Sequence, residues 1–176
     1  MRDDFIEEEL QIAQERTDHE SQLLTQVLQQ PVGELTTLQP AVVLAPQATL
    51  RTALNIMLQE AVSCVLIVEH DSLIGVFTER DVLAKVATQG LDLDHTPISA
   101  CMTRQPAYLE RDYELAYALH EMSLGGHRHI PLVDTAGRPV ALVSMRAVVE
   151  ALSAAFPQEM VNLPPIPPRP RTAEGA

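Results

Sequence analysis

The sequence contains no tryptophan, and aromatic residues make up only 3% of its 176 positions. A buried core must therefore be built from aliphatic side chains and methionine, and a hydrophobic fraction of 46% is ordinary for a globular protein. No apolar run approaches the roughly 20 residues that a membrane-spanning helix needs. No apolar signal region follows the start at Met1 either. These absences predict a soluble cytoplasmic protein with no membrane partner.

Basic residues are half as numerous as acidic ones, 12 against 24, and the formal net charge at pH 7 is −12. A chain of this charge repels phosphate backbones and anionic lipid headgroups. We therefore expect neither nucleic-acid binding nor adsorption to a membrane surface. The acidic excess is strongest in the first 30 residues, which hold eight Asp and Glu residues against two Arg.

Residue types that carry metal-site or nucleophilic chemistry are few. The cysteines, Cys64 and Cys101, form no CxxC pair. Cys64 lies in an apolar run, which predicts a small buried hydrophobic residue in a reducing compartment. His120, His127 and His129 lack a cysteine or carboxylate at a spacing that would complete a metal site. Gly-rich phosphate loops and the GxSxG elbow are also absent from the sequence. The sequence predicts no metal site, no catalytic residues and no enzyme activity.

What the sequence does contain is one pattern that occurs twice. Three segments of the first copy recur in the second at a nearly constant separation. They are 50–57 and 115–122, 64–68 and 130–133, and 75–82 and 141–148. A repeat of this length indicates two similar supersecondary units that bury their apolar faces against each other.

Each copy has the order strand, helix, strand, strand, helix. The elements predicted for the first copy are an extended segment 41–44, a helix with Leu50, Ala53, Leu54 and Met57 on one face, strands 65–68 and 73–77, and a helix over 81–88 that stops at Gly90. Those of the second are 106–109, a helix with Leu115, Ala118, Leu119 and Met122 that ends at Gly125-Gly126, strands 130–133 and 140–143, and a helix over 145–155. The predicted fold class is α/β, with two pseudo-symmetric β-α-β-β-α repeats. They form one module because either sheet alone would expose an apolar face.

The flanking segments have a different composition from the repeats. We divide the chain into an acidic helical arm (1–30), a first repeat (31–92), a second repeat (93–156) and a Pro-rich disordered tail (157–176). Two short apolar stripes mark the arm, Phe5, Ile6 and Leu10 and then Leu23, Leu24, Val27 and Leu28. We interpret it as a partly ordered arm, with a docking helix for a partner as the alternative. Pro31-Val32-Gly33 is expected to join it to the first repeat.

The segment Gly75 to Asp81, which reads Gly-Val-Phe-Thr-Glu-Arg-Asp, resembles the cystathionine-beta-synthase (CBS) domain. Segments 129–134 and 137–140 carry the same resemblance in the second copy. The resemblance implies a tandem, disc-like pair of CBS repeats that binds an adenine nucleotide (AMP, ADP or ATP) in a cleft between them. It also implies a regulatory role in signalling to another, unknown protein, a homodimer, and no tightly bound cofactor.

The same resemblance implies a set of ligand-binding residues. The ribose would lie on Asp81 with Thr78 beside it, and the phosphate near Arg128 and Arg146. Adenine would contact Val76 and the Pro106-Ala107 segment. In the second repeat Ser144 is kept, but Ala147 stands where the carboxylate would be, so we expect one intact cleft per chain.

Two alternatives remain open at this point. Thr78 and Asp81 also have the spacing of a capping box, which accounts for both residues without a ligand. The alternative function for the whole chain is a ligand-free scaffold for dimerisation and interaction. Such a scaffold has no need for Asp81, Arg128 and Arg146 to face one cleft.

Overall fold

The secondary structure of both repeats follows the apolar patterns of the sequence. A computed structural model describes residues 2–156, with side chains from Gln11 onward except those of residues 12, 13 and 16. The predicted Pro-rich tail, 157–176, lies outside the described residues. The predicted α/β class with two β-α-β-β-α repeats is confirmed.

The first repeat contains strands β1 (Gln39–Pro40), β2 (Val43–Leu44), β3 (Cys64–Glu69) and β4 (Ser72–Thr78) and helices α2 (Leu50–Gln59) and α3 (Glu79–Asp81). The second contains β5 (Thr103–Arg104), β6 (Leu109–Glu110), β7 (His129–Val133) and β8 (Pro139–Ser144) and helices α4 (Leu115–Gly125) and α5 (Met145–Ala155). The acidic arm forms α1 (Arg2–Gln29). Gly126, with φ of 61°, ends α4 at the predicted position because glycine tolerates this left-handed conformation.

The helix predicted over 81–88 starts earlier than expected and is not a regular α-helix throughout. It begins at Glu79, because Thr78 caps it, and after Asp81 it continues as a π-helical segment, Val82–Ala87. The corresponding α5 is a regular α-helix. Single π-helical turns are rare and occur frequently at functional sites.

Each sheet takes one of its two edge strands from the start of the other repeat. One sheet has the order β2-β3-β4-β5 and the other β1-β8-β7-β6. The extended segments predicted at 41–44 and 106–109 overlap β2 and β6. The edge strands β1 and β5 lie just ahead of them and were not predicted: Thr103 pairs opposite Val76, and Gln39 opposite Leu142. Gly75 permits the close approach of β5, since a Cβ there would lie 2.5 Å from Met102 Sδ.

The segments that lead into β1 and β5 also cross between the repeats. The N–H of Leu50 donates to the Thr96 carbonyl at 3.0 Å, and the N–H of Leu115 donates to the Gln30 carbonyl at 2.9 Å. Each helix start is thus satisfied by the leading segment of the other repeat. The boundary predicted between residues 92 and 93 separates the two repeats in the sequence. In the structure, residues on each side of it contact the repeat on the other side.

Three apolar clusters fill the molecule. The segment 96–102, which leads into β5, is called the crossing segment below. Its residues Ile98, Cys101 and Met102 pack with the buried side chains of α2, β3 and β4 in the core of the first repeat. In the second, Val32 and Leu35 take the corresponding place. The third cluster, Cys64, Leu66 and Leu142, joins the two sheets. Neither repeat completes its own core, which agrees with one module instead of two independent domains.

The arm precedes the first repeat in the sequence but packs on the second. Helix α1 contacts α4 and α5, and Val27 packs on the core of the second repeat. The described side chains between Gln11 and Gln22 are exposed. The crossing of residues 30–35 to α4 explains this placement, because the chain reaches the second repeat before it enters the first.

Replacement of Ile98 tests the crossing. Ile98 is fully buried in the core of the first repeat, so Ile98→Ala should lower the free energy of unfolding by about 2–5 kcal/mol. The matched control is Leu58→Ala, because Leu58 is 81% exposed and should change stability by no more than about 0.5 kcal/mol. Urea denaturation followed by circular dichroism measures both. Equal midpoints for the two variants would contradict this packing.

Candidate functional site

A cleft of about 630 Å³ lies between the two repeats. Its lining comprises Ser63, Cys64, Val76, Thr78, Glu79, Arg80 and Leu83 of the first repeat, Gly126, His127, Arg128, His129, Ser144, Met145 and Arg146 of the second, and Gln39 of β1. Matching positions of the two copies occur in it as pairs, such as Ser63 with Arg128 and Thr78 with Ser144. The cleft therefore surrounds the pseudo-twofold axis that relates the repeats.

The ends of two helices open on this cleft. The Glu79 N–H donates to the Ser63 carbonyl at 3.1 Å, and the Met145 N–H donates to the Arg128 carbonyl at 2.9 Å. Thr78 and Ser144 are the N-caps of α3 and α5. Helix N-termini carry partial positive charge, so α5, the full-length helix, favours an anion here.

Cationic side chains are concentrated around the cleft. Arg146 is held by Glu150, with Nε 2.7 Å from Oε1. The guanidinium groups of Arg80 and Arg128 form no hydrogen bond or ion pair with any residue that the structure describes. In a chain with a net charge of −12, two unpaired guanidinium groups at one cleft favour an anionic ligand.

His129 connects the repeats across the cleft. Its Nε2 lies 2.9 Å from Ser63 Oγ, within hydrogen-bond distance. Burial lowers the pKa of His129, Glu79 partly opposes this shift, and Arg128 adds to it. The imidazole is therefore neutral near pH 7, and its contact with Ser63 is a neutral hydrogen bond.

The Thr78 and Asp81 side chains form the capping box that their spacing predicted. Thr78 Oγ1 accepts from the Asp81 N–H at 3.3 Å, and Asp81 Oδ2 accepts from the Thr78 N–H at 2.9 Å and from its hydroxyl at 2.8 Å. The other carboxylate oxygen, Oδ1, lies 2.7 Å from Lys85 Nζ and accepts from Thr103 Oγ1 at 3.3 Å. Burial by itself raises the pKa of Asp81, but the hydrogen bonds from Lys85 and Thr78 outweigh it and leave the pKa lowered.

The structure brings four of the seven sequence-predicted site residues into one cleft. Val76, Thr78, Arg128 and Arg146 line it. Asp81, Pro106 and Ala107 are not part of the lining, and Asp81 is only 7% exposed. The carboxylate and the two arginines therefore do not share one open surface as expected, because the cap and the contacts of Lys85 and Thr103 enclose the carboxylate.

The second repeat lacks both members of the Asp81–Lys85 ion pair. Sixty-six residues further along the chain, Ala147 and Ala151 occupy the two positions. The helix forms nevertheless, with Ser144 Oγ accepting from the Ala147 N–H at 3.2 Å. The acid is therefore dispensable for the helix.

Sequence reasoning missed Lys85, Thr103 and Gln39. Lys85 could have been found, since it stands four residues after Asp81 in a helical segment, where opposite charges meet. Thr103 and Gln39 reach the site only through the crossing of β5 and β1. The Gln39 Oε1 atom is buried and has no hydrogen-bond partner among the described residues.

Three further observations concern the Cys64 thiol, metal-ligand groups and membrane-spanning helices. Burial, with a smaller contribution from Asp81, raises the pKa of the Cys64 thiol to about 12, so this residue is no nucleophile at neutral pH. Among residues 2–156 no group of His, Cys, Asp and Glu side chains could hold a metal ion. No helix in the described part of the chain is long and apolar enough to cross a membrane.

The role of the Asp81 carboxylate in stability depends on pH. Asp81→Asn should lower the free energy of unfolding by about 1–3 kcal/mol at pH 7, because the charged acceptor is lost. Since the folded-state pKa lies below the ordinary 3.8, this stabilisation is present above pH 3.8 and disappears as the pH falls through the folded-state value. Urea titrations between pH 7 and pH 2.5 measure it. Asp112→Asn, which changes an exposed carboxylate, is the control. If the unfolding free energies of Asp81→Asn and wild type differ as much in acid as at pH 7, the stabilising role of the Asp81 carboxylate is contradicted.

Comparisons with known proteins agree with this architecture. The model of the CBS domain family matches residues 32–88 and 98–154. CBS domain-containing protein CBSCBSPB1 of Arabidopsis thaliana is 32% identical over 110 residues, which are 62% of this chain and 20% of that protein. The uncharacterized protein MK0525 of Methanopyrus kandleri is 33% identical over 101 residues, 56% of this chain and 52% of that one. The chain thus matches about a fifth to a half of the length of these relatives.

A solved structure shows the same fold. It is the CBS domain protein PAE2072 from Pyrobaculum aerophilum complexed with AMP, with a TM-score of 0.62 and 23% identity. The match covers 70% of this chain and 98% of that one. Two matches to the family model, two crossed β-α-β-β-α repeats and a cleft on their pseudo-twofold axis lead to one conclusion: the chain belongs to the CBS domain family and contains a tandem pair of its repeats.

Proposed function

We propose that this CBS pair is a regulatory module that binds an adenine nucleotide, AMP-like, in the cleft between its repeats, and that it is not an enzyme. The observation that carries the proposal is the presence of Arg80 and Arg128 at one cleft of an acidic protein, where neither guanidinium group has a partner among the described residues. The PAE2072 protein, which shares the fold, is complexed with AMP. We place the module in the cytoplasm.

The phosphate of the ligand would lie among Arg128, Arg146 and Arg80. A guanidinium group donates two parallel hydrogen bonds, which suit the oxygens of a phosphate. The N-terminus of α5 supports the negative charge. His129, neutral and bonded to Ser63, adds a polar contact without charge. This arrangement suits a monophosphate, and ADP and ATP are the competing ligands.

The nucleoside would extend from the phosphate toward the first repeat. Thr78 and Asp81 are the proposed ribose contacts, with adenine against Val76 and the Pro106-Ala107 segment. Val76 and Thr78 line the cleft, which supports this direction. The buried, unpartnered Gln39 Oε1 would accept a hydrogen bond from an N–H donor on the ligand, which is the group that its environment lacks.

Titration calorimetry with AMP tests the proposal. We expect one AMP per chain, and Arg128→Gln should weaken binding by about 2–5 kcal/mol because a charged partner of the phosphate is lost. The described structure shows no partner for the Arg128 guanidinium, so this variant should keep its fold. Arg51→Gln is the matched control: it removes the same charge from an exposed residue that pairs with Asp94, outside the cleft.

Two results would contradict nucleotide binding in this cleft. If Arg128→Gln binds AMP with unchanged affinity, the phosphate does not bind at Arg128. Absence of binding for AMP, ADP and ATP alike would favour the alternative, a ligand-free scaffold for dimerisation and interaction. Both functions involve the homodimer that we propose. It would use exposed apolar side chains on the helices, among them Leu83 and Leu124.

We further propose that the module transmits ligand binding to a regulated protein, not yet identified, through the acidic arm. Residues 30–35 connect α1 with the start of α4: the Val32 N–H donates to the Tyr113 carbonyl at 2.8 Å, and the Gly33 N–H to the Arg111 carbonyl at 2.8 Å. A shift of the second repeat around a bound ligand would therefore move the arm. A ligand changes this equilibrium only by its differential affinity for the two arrangements.

Hydrogen exchange with and without AMP tests the arm. Amides of residues 23–35 should become at least several-fold more protected when AMP binds, because they pack on the second repeat. The hairpin turn at His70-Asp71, distant in sequence and on the other repeat, serves as the internal control. Protection confined to the cleft, with 23–35 exchanging equally fast in both states, would leave a binding module without this route.

A further inference from the structure

The environment of Asp81 holds a feature that the proposed function does not explain. A carboxylate offers about four acceptor positions on its two oxygens. Four donors are already present: the Thr78 N–H and hydroxyl on Oδ2, and Lys85 Nζ and the Thr103 hydroxyl on Oδ1. Ribose hydroxyls can therefore bind Asp81 only when one of these donors leaves.

Lys85 is the donor that can leave at the lowest cost. The two Thr78 donors belong to the cap of the helix, and Thr103 is held in strand β5. The Lys85 side chain is long, and it is 36% exposed, so water can replace the contacts of its ammonium group. Its Nζ also donates to the Cys101 carbonyl at 2.8 Å. This contact ties the helix of the first repeat to the crossing segment.

Two properties of the chain single out Lys85. It is the only lysine in the sequence, whereas every other basic residue is arginine. It lies in the π-helical segment, and the second repeat has Ala151 at the matching position in a regular α-helix. The repeat that lacks the acid thus also lacks the lysine and the π-helical turn, so the fold of a repeat requires none of the three.

We propose that Lys85 is a latch that competes with the ribose of the ligand for Asp81. This inference rests on the proposed function and adds a regulatory residue to it. In the latched state the ammonium group neutralises Asp81 and fixes the crossing segment at Cys101. Binding of the nucleoside releases Lys85 and frees that segment. The free energy of the latch contacts is therefore subtracted from the binding free energy of the ligand.

A latch and a purely structural ion pair predict different results for Lys85→Met, which keeps an apolar stem of similar size. Loss of a latch lowers the stability of the free protein but tightens binding. Loss of a structural pair lowers stability and leaves affinity unchanged or weaker. Titration calorimetry measures the affinity for adenosine, which contains the ribose but no phosphate. The affinity for AMP is measured in parallel. Both proteins are measured at the same pH of 8.

We expect Lys85→Met to melt at a lower temperature than wild type and to bind adenosine and AMP about tenfold more tightly. Lys85→Arg keeps the charge and should stay within about threefold of wild type. Unchanged or weaker binding by Lys85→Met, while wild type binds, overturns the latch but leaves the proposed function intact. Absence of binding to every variant overturns both.

Chemical modification gives a second, independent readout on the unaltered chain. Because Lys85 is the only lysine, an amine-selective acylating reagent modifies only this side chain and the terminal amine. Peptide mass spectrometry then measures the rate at Lys85. Saturating AMP should raise that rate several-fold, since the released ammonium group is more accessible. A rate that stays constant or falls as AMP saturates the site contradicts the latch.

Discussion

The exchange of leading segments between the repeats is the constraint on which the rest of the structure depends. Each sheet receives its edge strand, and each first helix its N-terminal acceptor, from the segment ahead of the other repeat. The buried side chains of Val32 and Ile98 complete the opposite cores in the same way. A repeat without its partner would leave a sheet edge and part of a core open, so the two fold as one unit and meet along a fixed pseudo-twofold axis.

The cleft on that axis is nearly symmetric in backbone but not in chemistry. The second repeat provides Arg128 and Arg146, whereas the first provides Arg80, Thr78 and, outside the lining, the enclosed Asp81–Lys85 pair. Arginines therefore line the cleft from both repeats, whereas the carboxylate belongs to the first repeat alone. The nucleotide that we propose would have one orientation for this reason. Gln39 Oε1, which is buried and has no hydrogen-bond partner within the described part of the chain, adds a further acceptor that a ligand or water can satisfy.

Much of the fold could be predicted because local patterns and packing agree. The apolar face of α4 and its Gly126 end, like the strand runs, follow from spacing and turn chemistry. The edge strands β1 and β5, each paired in the sheet of the other repeat, could not be predicted, since two-residue strands carry no period that assigns them to a sheet. The π-helical turn after Asp81 could not be predicted either, because the residues of this segment carry no local pattern that separates it from an α-helix.

The sequence by itself determined the repeat, the family resemblance, the acidic balance and the capping box, since each depends on residue types at short separations. It also named Arg128 and Arg146, which line the cleft. Only the tertiary structure decided that Asp81 is enclosed and that the arm packs on the second repeat. Both outcomes depend on segments that cross between the repeats, and which surfaces meet after such a crossing is fixed by packing in three dimensions.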